Sequence, residues 1–362
     1  MMEGRIYNFS AGPSMLADEV LLKIQEDLLN YQGSGMSVME MSHRSKVYDD
    51  IIVAAETKFR SVMNIPDNYK VLFLQGGATG MFAAIPQNIA EKGAADYVIS
   101  GNFSGGSYKE GSKYLKDARV AATTKDENFA RIPSQEELTL NPDADYVHIC
   151  FNNTIFGTKY PYIPETGDVP LVADMSSCIL SEPVDVSKFG IIYAGAQKNI
   201  APAGLSIVII REDLLGKAVP TTPNVWNFTT QADKGSMLNT PPTFQIYVCK
   251  LVLEWIESLG GLEVMKKMNE EKAAILYDYL DNNDFYIAAA DKGSRSMMNV
   301  TFRTKSEELD AKFVKESVAA GMSNLKGHRL VGGMRASIYN AMPKEGVEKL
   351  VAFMKKFAEE NA

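Results

Sequence analysis

One stretch of the chain reads Gly190-Ile-Ile-Tyr-Ala-Gly-Ala-Gln-Lys198-Asn-Ile-Ala-Pro-Ala-Gly-Leu-Ser-Ile-Val-Ile-Ile210. It places a lysine on a loop of small residues between two apolar runs of strand length. Upstream, the stretch Val169-Pro-Leu-Val-Ala-Asp174 ends another apolar run in an aspartate. Short apolar runs bounded by such loops are typical of buried strands.

Similar apolar runs recur from residue 71 onward, each followed by a polar or glycine-rich loop and, in most cases, by a helical pattern. Strands that alternate with helices predict a mostly parallel sheet with helices on both faces, an α/β fold. The last two runs are too close for a crossover helix, so at least one strand there is predicted to be antiparallel. The predicted strands are Val71–Leu74, Tyr97–Ile99, Tyr146–Phe151, Pro170–Ala173, Ile191–Ala194 and Ile207–Ile210.

Apolar spacing predicts helices from Asp18, from a cap at Ser42, and over Thr243–Leu259, which ends at a glycine pair suited to a helix C-terminus. Beyond that pair an α+β module of roughly 100 residues is expected, a normal domain size. We therefore expect a large domain over residues 16–260 and a small domain formed by residues 1–15 and 261–362. The elements predicted beyond residue 261 are helices Leu262–Leu280, Glu307–Ala320 and Gly346–Glu359 and strands Ser296–Phe302 and Met334–Tyr339.

Composition narrows the function classes. With 362 residues, 46% of them hydrophobic, the chain can bury a large core. The net charge of −8 argues against a nucleic-acid partner, which requires a basic face. No apolar run approaches the roughly 18 residues of a membrane helix, and the N-terminus lacks the apolar core of a signal peptide. We expect a cytoplasmic protein whose three cysteines are reduced core residues rather than metal ligands.

Lys198 and Asp174 together indicate a chemistry that neither indicates alone. A lysine amine that can become neutral and a buried carboxylate are what a pyridoxal phosphate enzyme requires, the first for the Schiff base and the second for the pyridinium nitrogen. The alternative for a loop lysine is a solvated surface charge, because lysine is almost never buried unpaired. The other loops decide between these interpretations.

Three loops follow predicted strands, where ligands bind in α/β sheets. The loop Gln75-Gly-Gly-Ala-Thr-Gly80 precedes a helical stretch and suits a phosphate, although it is no P-loop because no Gly-Lys-Ser/Thr ends it. Phe103 is placed to stack on a flat ring or to fill the core. Thr154 is placed to hydrogen-bond a ring hydroxyl or to cap a turn.

Cationic residues form the third feature. The dipeptide His-Arg occurs twice, as His43-Arg44 and as His328-Arg329, and Arg335 follows on a predicted strand. Arginine presents a planar fork suited to carboxylate and phosphate. Each pair on its own is compatible with a solvated surface. If they converge, they form a pocket for a small substrate with two anionic ends.

Over essentially its whole length the chain resembles the phosphoserine aminotransferases, which are fold-type I, class V pyridoxal phosphate-dependent enzymes. The resemblance rests on long strings rather than on a short motif. They are Tyr7-Asn-Phe-Ser-Ala-Gly-Pro-Ser-Met-Leu16, Gly35-Met-Ser-Val-Met-Glu-Met-Ser-His-Arg44, Tyr193-Ala-Gly-Ala-Gln-Lys198-Asn199, Gly235-Ser-Met-Leu-Asn-Thr-Pro-Pro-Thr-Phe244 and Gly327-His-Arg-Leu-Val-Gly-Gly-Met-Arg-Ala-Ser-Ile-Tyr-Asn-Ala-Met-Pro343.

The resemblance implies a role for each candidate residue in holding pyridoxal 5'-phosphate. Lys198 would be the Schiff-base lysine and Asp174 the partner of the pyridine nitrogen. Phe103 would stack on the ring. The remaining cofactor contacts would be Gln197 and Thr154 at the phenolic oxygen, the backbone amides of Ala78 and Thr79 at the phosphate, and Asn239 and Thr240 at the phosphate of the neighbouring subunit in an obligate homodimer.

The substrate contacts follow from the same resemblance. Arg335 would hold the α-carboxylate. The two His-Arg pairs, His43, Arg44, His328 and Arg329, would surround the distal phosphate of phosphoserine or the side-chain carboxylate of glutamate. The expected reaction interconverts L-glutamate and 3-phosphooxypyruvate with 2-oxoglutarate and O-phospho-L-serine, in serine biosynthesis. Whether 4-phosphohydroxy-L-threonine of pyridoxine biosynthesis is also a substrate stays open.

Two departures and three rivals qualify the expectation. Some bacterial relatives carry arginine at the position of Thr79 and many carry tryptophan at that of Phe103, so a weaker distal subsite is expected here, and a weaker stacking contact that serves the same role. The rivals are a cysteine desulfurase, an alanine–glyoxylate type enzyme, and a non-catalytic or nucleotide-binding α/β protein in which Lys198 is structural. A desulfurase requires a mobile, exposed cysteine, whereas the cysteines here lie in or beside apolar runs.

Overall fold

The computed structural model describes residues 1–362. Every helix predicted from the apolar spacing is present; Thr243–Leu259 has the predicted bounds, and several of the others end or begin a few residues away from the prediction. Further helices begin after the first two predicted strands and near residue 228. The nine α-helices are α1 (Asp18–Asp27), α2 (Lys46–Met63), α3 (Gly77–Ile89), α4 (Asn102–Gly111), α5 (Phe228–Asp233), α6 (Thr243–Leu259), α7 (Leu262–Asp281), α8 (Glu307–Ala319) and α9 (Lys344–Asn361).

The strands fall into one large sheet and three small ones. All six strands predicted before residue 211 belong to the large sheet. In chain order the strands are β1 (Tyr7–Asn8), β2 (Tyr69–Leu74), β3 (Ala94–Ile99), β4 (Asp117–Thr123), β5 (Tyr146–Cys150), β6 (Asn152–Asn153), β7 (Thr158–Lys159), β8 (Leu171–Asp174), β9 (Ile191–Gly195), β10 (Ser206–Arg211), β11 (Ile287–Ala288), β12 (Asn299–Arg303), β13 (Met322–Ser323) and β14 (Met334–Ser337).

The large sheet has seven strands in the order β2-β10-β9-β8-β5-β3-β4. Strand β10 is antiparallel to both its neighbours, and the other pairs are parallel. The mostly parallel sheet and its antiparallel strand are therefore confirmed. Strands β2 and β9 point the same way because each is antiparallel to β10. The loops that follow β2, β3, β5, β8 and β9 consequently meet at one edge of the sheet, where α/β proteins bind ligands.

Helices cover both faces of the large sheet, as predicted. Helices α1, α2 and α6 pack over one face, and α3 and α4 pack over the other. The central strands are buried on both sides, with β8 and β9 wholly enclosed. Such strands read as continuous apolar runs, which explains why the sequence predicted them.

Strand β4, at the edge of the sheet next to β3, was not predicted from the sequence. Only Ala121 of its seven residues is buried. An edge strand covered on one side shows no continuous apolar run and carries polar residues toward water. Its composition therefore resembles that of a loop.

Helix α2 begins later than predicted. The sequence suggested a cap at Ser42, but the Oγ of Ser45 accepts the backbone N–H of Tyr48 at 3.3 Å and caps the helix instead. Residues 42–45 form a turn in which the Oγ of Ser42 accepts the N–H of Arg44 at 3.3 Å. Both serines can cap, and the local sequence does not rank them.

The C-terminal module places β11, β12 and β14 in one antiparallel sheet. The N-terminal segment joins this module, since β1 pairs in parallel with β13 and the rings of Tyr7 and Phe9 lie in its apolar core. Strand β12 starts three residues later than predicted because the Oγ of Ser296 accepts the N–H groups of Met298 and Asn299 and forms a turn. The division at residues 15 and 261 stays a prediction.

No helix of the chain combines the length and the apolar character that crossing a membrane requires.

Candidate active site

Lys198 lies on the turn between β9 and β10, at the edge of the sheet where the strand-end loops meet. Its Nζ donates to the Oγ1 of Thr154 at 2.6 Å and lies 5.5 Å from the centre of the Phe103 ring. Thr154 follows the end of β5, and Phe103 lies in the first turn of α4 rather than on a loop as the sequence suggested. Three strand ends therefore bring these residues together.

The environment of the Lys198 amine favours its neutral form. Burial lowers the pKa of the Lys198 amine, and the nearby Arg335 cation lowers it further, whereas Asp174 acts in the opposite direction. Although part of the side chain faces the open cleft, the amine itself is enclosed by protein. A lysine amine must lose its proton before it can act as a nucleophile or base.

Asp174 ends β8 and is buried. One of its carboxylate oxygens accepts the backbone N–H of Ser176 at 2.9 Å. Burial raises the pKa of Asp174, while the hydrogen bonds from Ser176 and the Lys198 cation lower it in part. A carboxylate in this position is stabilised by a cation or an N–H donor placed opposite it.

Asp174 and Lys198 line the same cavity, whose volume is about 370 Å³. This volume falls within the range of small-molecule sites. Most of the residues predicted for cofactor and substrate line it. They are Ala78, Thr79, Phe103, Thr154, Asp174, Gln197, Lys198, His328 and Arg335.

One wall of the cavity is the N-terminus of α3, which starts in the glycine-rich loop. No side chain caps this helix, so the N–H groups of its first turn are free for a ligand. Gly76 and Gly77 adopt left-handed φ values of 106° and 63°, which glycine tolerates best. The positive end of the helix dipole and free N–H groups suit an anionic phosphate.

Arg335 on β14 approaches from the C-terminal module. Its Nη1 donates to the backbone carbonyl of Thr154 at 3.2 Å, so Thr154 contacts both the arginine and Lys198. His328 lies beside it, and the Nδ1 of that ring accepts the N–H of Leu330 at 3.3 Å. The Nε2 is then the protonated nitrogen in the neutral ring and can donate to an anion. Burial and the cations of Arg335 and Arg329 lower the pKa of His328.

Five predicted residues do not line this cavity. Arg329 is exposed beyond His328, although it follows it directly. His43 and Arg44 line a different cleft, of about 470 Å³, together with Lys234 and Met237. The predicted convergence of the two His-Arg pairs is therefore absent within a single chain. The other two, Asn239 and Thr240, are exposed.

Several residues that line the cavity were not predicted from the sequence. Ser176 and Ser177 follow Asp174 at the same strand end, so their position was available from the sequence. Gly12 was not, because the N-terminal segment reaches the site only through the tertiary fold. A Cβ built on Gly12 would lie 3.4 Å from the Cγ of Gln197 and 3.5 Å from that of Lys198. The other residues missed are Ala11, Gly77, Asn102, Cys150, Asn152 and Ile155.

A buried polar cluster supports the strands beneath Asp174. The Nε2 of His148, on β5, lies 2.8 Å from the Tyr193 hydroxyl and 3.1 Å from that of Ser107. Burial lowers the pKa of His148 to about 3, so its ring is neutral at physiological pH. Tyr193 is the register partner of Asp174 in the neighbouring strand. The third histidine of the chain is therefore a structural core residue.

The residues of the cavity fit pyridoxal 5'-phosphate. The free N–H groups of α3 match its phosphate, the buried Asp174 matches its ring nitrogen, and the desolvated Lys198 matches its aldehyde. The aromatic ring of Phe103 lies at the wall between them, where it can face a flat ring. Each part of the cofactor has a chemically suitable partner.

Comparisons with known proteins agree with this fit. The family model "Aminotransferase class-V" matches residues 6–350. A phosphoserine aminotransferase from Mannheimia succiniciproducens is 52% identical over 358 residues, covering 99% of both chains. One from Listeria innocua is 53% identical over 355 residues, covering 98% of this chain and 97% of the relative.

Solved structures give the same result. Phosphoserine aminotransferase from Bacillus circulans superimposes with a TM-score of 0.96 at 45% identity, covering 99% of each chain. The pyridoxal phosphate-bound enzyme from Trichomonas vaginalis gives 0.93 at 38% identity, covering 97% of this chain and all of that one, 100%. These matches confirm the fold-type I architecture and the cofactor, and the chain belongs to the phosphoserine aminotransferases of the class-V aminotransferase family.

Proposed function

We propose that the chain transfers the amino group of L-glutamate to 3-phosphooxypyruvate and so forms 2-oxoglutarate and O-phospho-L-serine. The observation that carries this proposal is the meeting of four groups in one cavity: the amine of Lys198, the carboxylate of Asp174, the uncapped start of α3, and the guanidinium of Arg335. Three of them suit the cofactor, and the fourth suits a substrate carboxylate.

When bound, pyridoxal 5'-phosphate supplies an aldehyde for the amino group and a pyridine ring that withdraws electrons from the substrate Cα. Asp174 keeps a proton on the ring nitrogen, because a buried carboxylate is stabilised by a charged partner. Removing one partner of such a buried pair costs roughly 3–5 kcal/mol, so Asp174→Ala weakens cofactor binding as well as turnover.

Lys198 moves the proton. With the cofactor bound, its neutral amine would take the proton from the substrate Cα and would deliver it to the C4′ position. Thr154 orients the amine through the 2.6 Å hydrogen bond to its Oγ1. Proton transfer by a positioned side chain typically contributes about 10²–10⁴-fold to the rate.

Arg335 and His328 orient the substrate. Arg335 faces the cavity beside Lys198 and binds the α-carboxylate that all four substrates and products share. His328 offers its Nε2 proton to the distal phosphate or carboxylate, with Arg329 beyond it. Because one site accepts both anions, the two half-reactions alternate in ping-pong order.

The direct test uses purified protein with added pyridoxal 5'-phosphate. We expect a yellow protein, a single peptide labelled at Lys198 after borohydride reduction, and 2-oxoglutarate formation that requires 3-phosphooxypyruvate. Protein that stays colourless with added cofactor would contradict the proposal. Comparing kcat/KM for O-phospho-L-serine and 4-phosphohydroxy-L-threonine tests the second substrate, which stays a hypothesis.

The desulfurase interpretation loses support in the fold. All three cysteines are buried, and burial raises the pKa of each thiol, Cys150, Cys178 and Cys249. A thiolate nucleophile needs a lowered pKa and access to substrate. The alanine–glyoxylate aminotransferase of Nostoc shares the fold at 14% identity, with a TM-score of 0.80.

The residues outside the cavity support a homodimer with shared sites. His43 and Arg44 share their cleft with Lys234, close in sequence to Asn239 and Thr240. His43, Arg44 and Lys234 form one surface region with Asp49, and neither they nor the exposed Asn239 and Thr240 line the chain's own cavity. A two-fold interface places the same patch of each subunit opposite the other, so this region can complete the partner's site.

Subunit mixing tests the shared site. Lys198→Ala and Arg44→Ala variants are each expected to be weakly active. Refolded together, they form mixed dimers in which one of the two cavities has both residues intact, and activity reappears. If Arg44 served its own chain's cavity, no mixed dimer would contain an intact site and activity would stay low. Fractionation of cells tests the cytoplasmic location, which stays a prediction.

A further inference from the structure

Lys272, on α7, is buried to 2% exposure in the C-terminal module. Its Nζ lies within hydrogen-bond distance of four backbone carbonyls, those of Ile338 (3.1 Å), Tyr339 (2.8 Å), Asn340 (3.3 Å) and Met342 (3.1 Å). The ammonium group has three N–H groups for four acceptors, so one N–H is shared between two carbonyls.

No carboxylate compensates the charge of this lysine. Burial lowers the pKa of Lys272 to about 7, and no charged neighbour offsets that effect. The four carbonyl acceptors favour the ammonium form, because a neutral amine has only two N–H groups to donate. Burying a cation without an acidic partner is costly, and the hydrogen bonds to the four carbonyls offset part of that cost.

The four carbonyls belong to one turn, which follows directly from β14, the strand of Arg335. Asn340 joins this turn to the loop of Lys198. Its backbone N–H donates to the Oδ1 of Asn199 at 3.1 Å, and Asn199 is the residue next to Lys198. A chain of hydrogen bonds therefore runs from Lys272 through the turn to the lysine loop.

Asn269 adds a second contact from the same helix. It precedes Lys272 by one turn of α7, and its Nδ2 donates to the Oδ1 of Asn340 at 2.9 Å and to the carbonyl of Ser181 at 3.0 Å. The Nδ2 of Asn340 donates in turn to the carbonyl of Leu180 at 2.8 Å. Side chains of α7 thus contact the turn from one side, and the carbonyl of Leu180 accepts a hydrogen bond from it on the other.

We propose that Lys272 is a positioning residue, which sets the distance between Arg335 and Lys198 by fixing the turn over residues 338–342. This inference rests on the proposed roles of Arg335 and Lys198. These two residues lie on different parts of the fold and meet at Thr154, where Arg335 contacts the carbonyl and Lys198 the hydroxyl. Their separation determines whether a substrate held by its carboxylate presents its Cα to the amine.

A parallel link explains why the two parts stay together without Lys272. Asn299 lies on β12. Its Oδ1 accepts a hydrogen bond at 2.9 Å from the Nδ2 of Asn152, which lines the cavity, and its Nδ2 donates to the Oγ of Ser337 at 3.0 Å. Both contacts are fully buried. Loss of Lys272 is therefore expected to shift the turn rather than to separate the domains.

The test compares Lys272→Met with the milder Asn269→Leu, which keeps the charge of Lys272. We expect kcat/KM per bound cofactor to fall about 10²-fold in Lys272→Met and about 10-fold in Asn269→Leu, for L-glutamate and O-phospho-L-serine alike, because small misplacements of reacting groups have effects of this size. Exchange of the Asn340 amide proton, measured in cofactor-free protein, should accelerate in both variants.

Tyr286→Phe is the control. Tyr286 is also buried in the C-terminal module and donates one hydrogen bond to a backbone carbonyl, that of Met354 at 2.9 Å, far along the chain from the site residues. It should lower the melting temperature and leave kcat/KM per bound cofactor unchanged.

The outcomes separate the two proposals. Suppose that the wild-type protein is active. If Asn269→Leu then has the kcat/KM and the Asn340 amide exchange rate of wild type, the positioning role is overturned, even if Lys272→Met fails to fold. A loss of stability alone, as in the control, would overturn it too. Inactive wild-type protein that binds cofactor would instead overturn the proposed function.

Discussion

The floor and the outer rim of the candidate site are built differently. At the floor, Asp174 and Lys198 come from one chain, are enclosed, and have pKa values shifted by burial. At the rim, Arg44 and Arg329 are exposed, and Arg44 lies in a separate cleft from the cavity. The floor is complete in a single chain, whereas in the proposed homodimer the partner subunit would complete the rim.

This difference has a physical cause. A charge at the floor has few alternative partners, so burial and a few fixed donors set its protonation and position. An exposed arginine is solvated and contributes little until a ligand or another chain removes water from it. We therefore expect floor substitutions to affect chemistry most and rim substitutions to affect substrate selection.

The largest effect should follow Lys198→Ala. Losing the group that moves the proton should reduce the rate of each half-reaction by about 10²–10⁴-fold. The rate is measured in single-turnover experiments with L-glutamate and with O-phospho-L-serine. Lys188→Ala, which changes an exposed lysine before β9, should behave like wild type. Comparable rates in both variants would break the distinction between floor and surface.

Arg335→Ala should have the next largest effect, since Arg335 lies at the border between the floor and the rim. Hydrogen bonds to charged groups contribute about 1.5–3 kcal/mol each, so kcat/KM should fall by roughly 10- to 10²-fold for every amino donor.

His328→Ala should reduce kcat/KM for O-phospho-L-serine but not for L-alanine, which has no distal anion. If Arg335→Ala and His328→Ala lost kcat/KM for L-alanine equally, His328 would not be the residue that binds the distal group.

The smallest effect is the loss of folding stability in acid, for which His148 is compared with His43. The pKa of His148 is about 3 in the fold, against an ordinary value of 6.5. Between these values the unfolded chain binds a proton that the fold excludes, so stability falls with decreasing pH, by at most about 1.4 kcal/mol per pH unit.

Urea unfolding at pH 7 and at about pH 5 measures this effect. Wild type and His43→Gln, which changes a partly exposed histidine, should lose more stability on acidification than His148→Gln. If His148→Gln showed the same loss as wild type, the histidine behind the floor would not be the group that responds.

Much of this molecule was predictable from local pattern. The strands of the large sheet that carry site residues are continuous apolar runs, and the residues that follow them, such as Thr154 and Asp174, are expected at one edge of a parallel sheet from their position in the sequence. The order of the strands in the sheet and their register were not predicted and come from the structure. The pattern failed where burial is one-sided, at β4, and where two serines compete to cap α2.

The sequence by itself determined the α/β fold, the lysine and aspartate at strand ends, and the glycine-rich helix start, because each depends on contacts close along the chain or on apolar periodicity. Only the tertiary structure decided that Gly12 reaches the cavity, that the His43-Arg44 pair does not, and that Lys272 contacts the turn beside the Lys198 loop. Those outcomes depend on how segments that are distant in the sequence pack together. Residue spacing does not show which residues such segments will contact, or whether they will be buried.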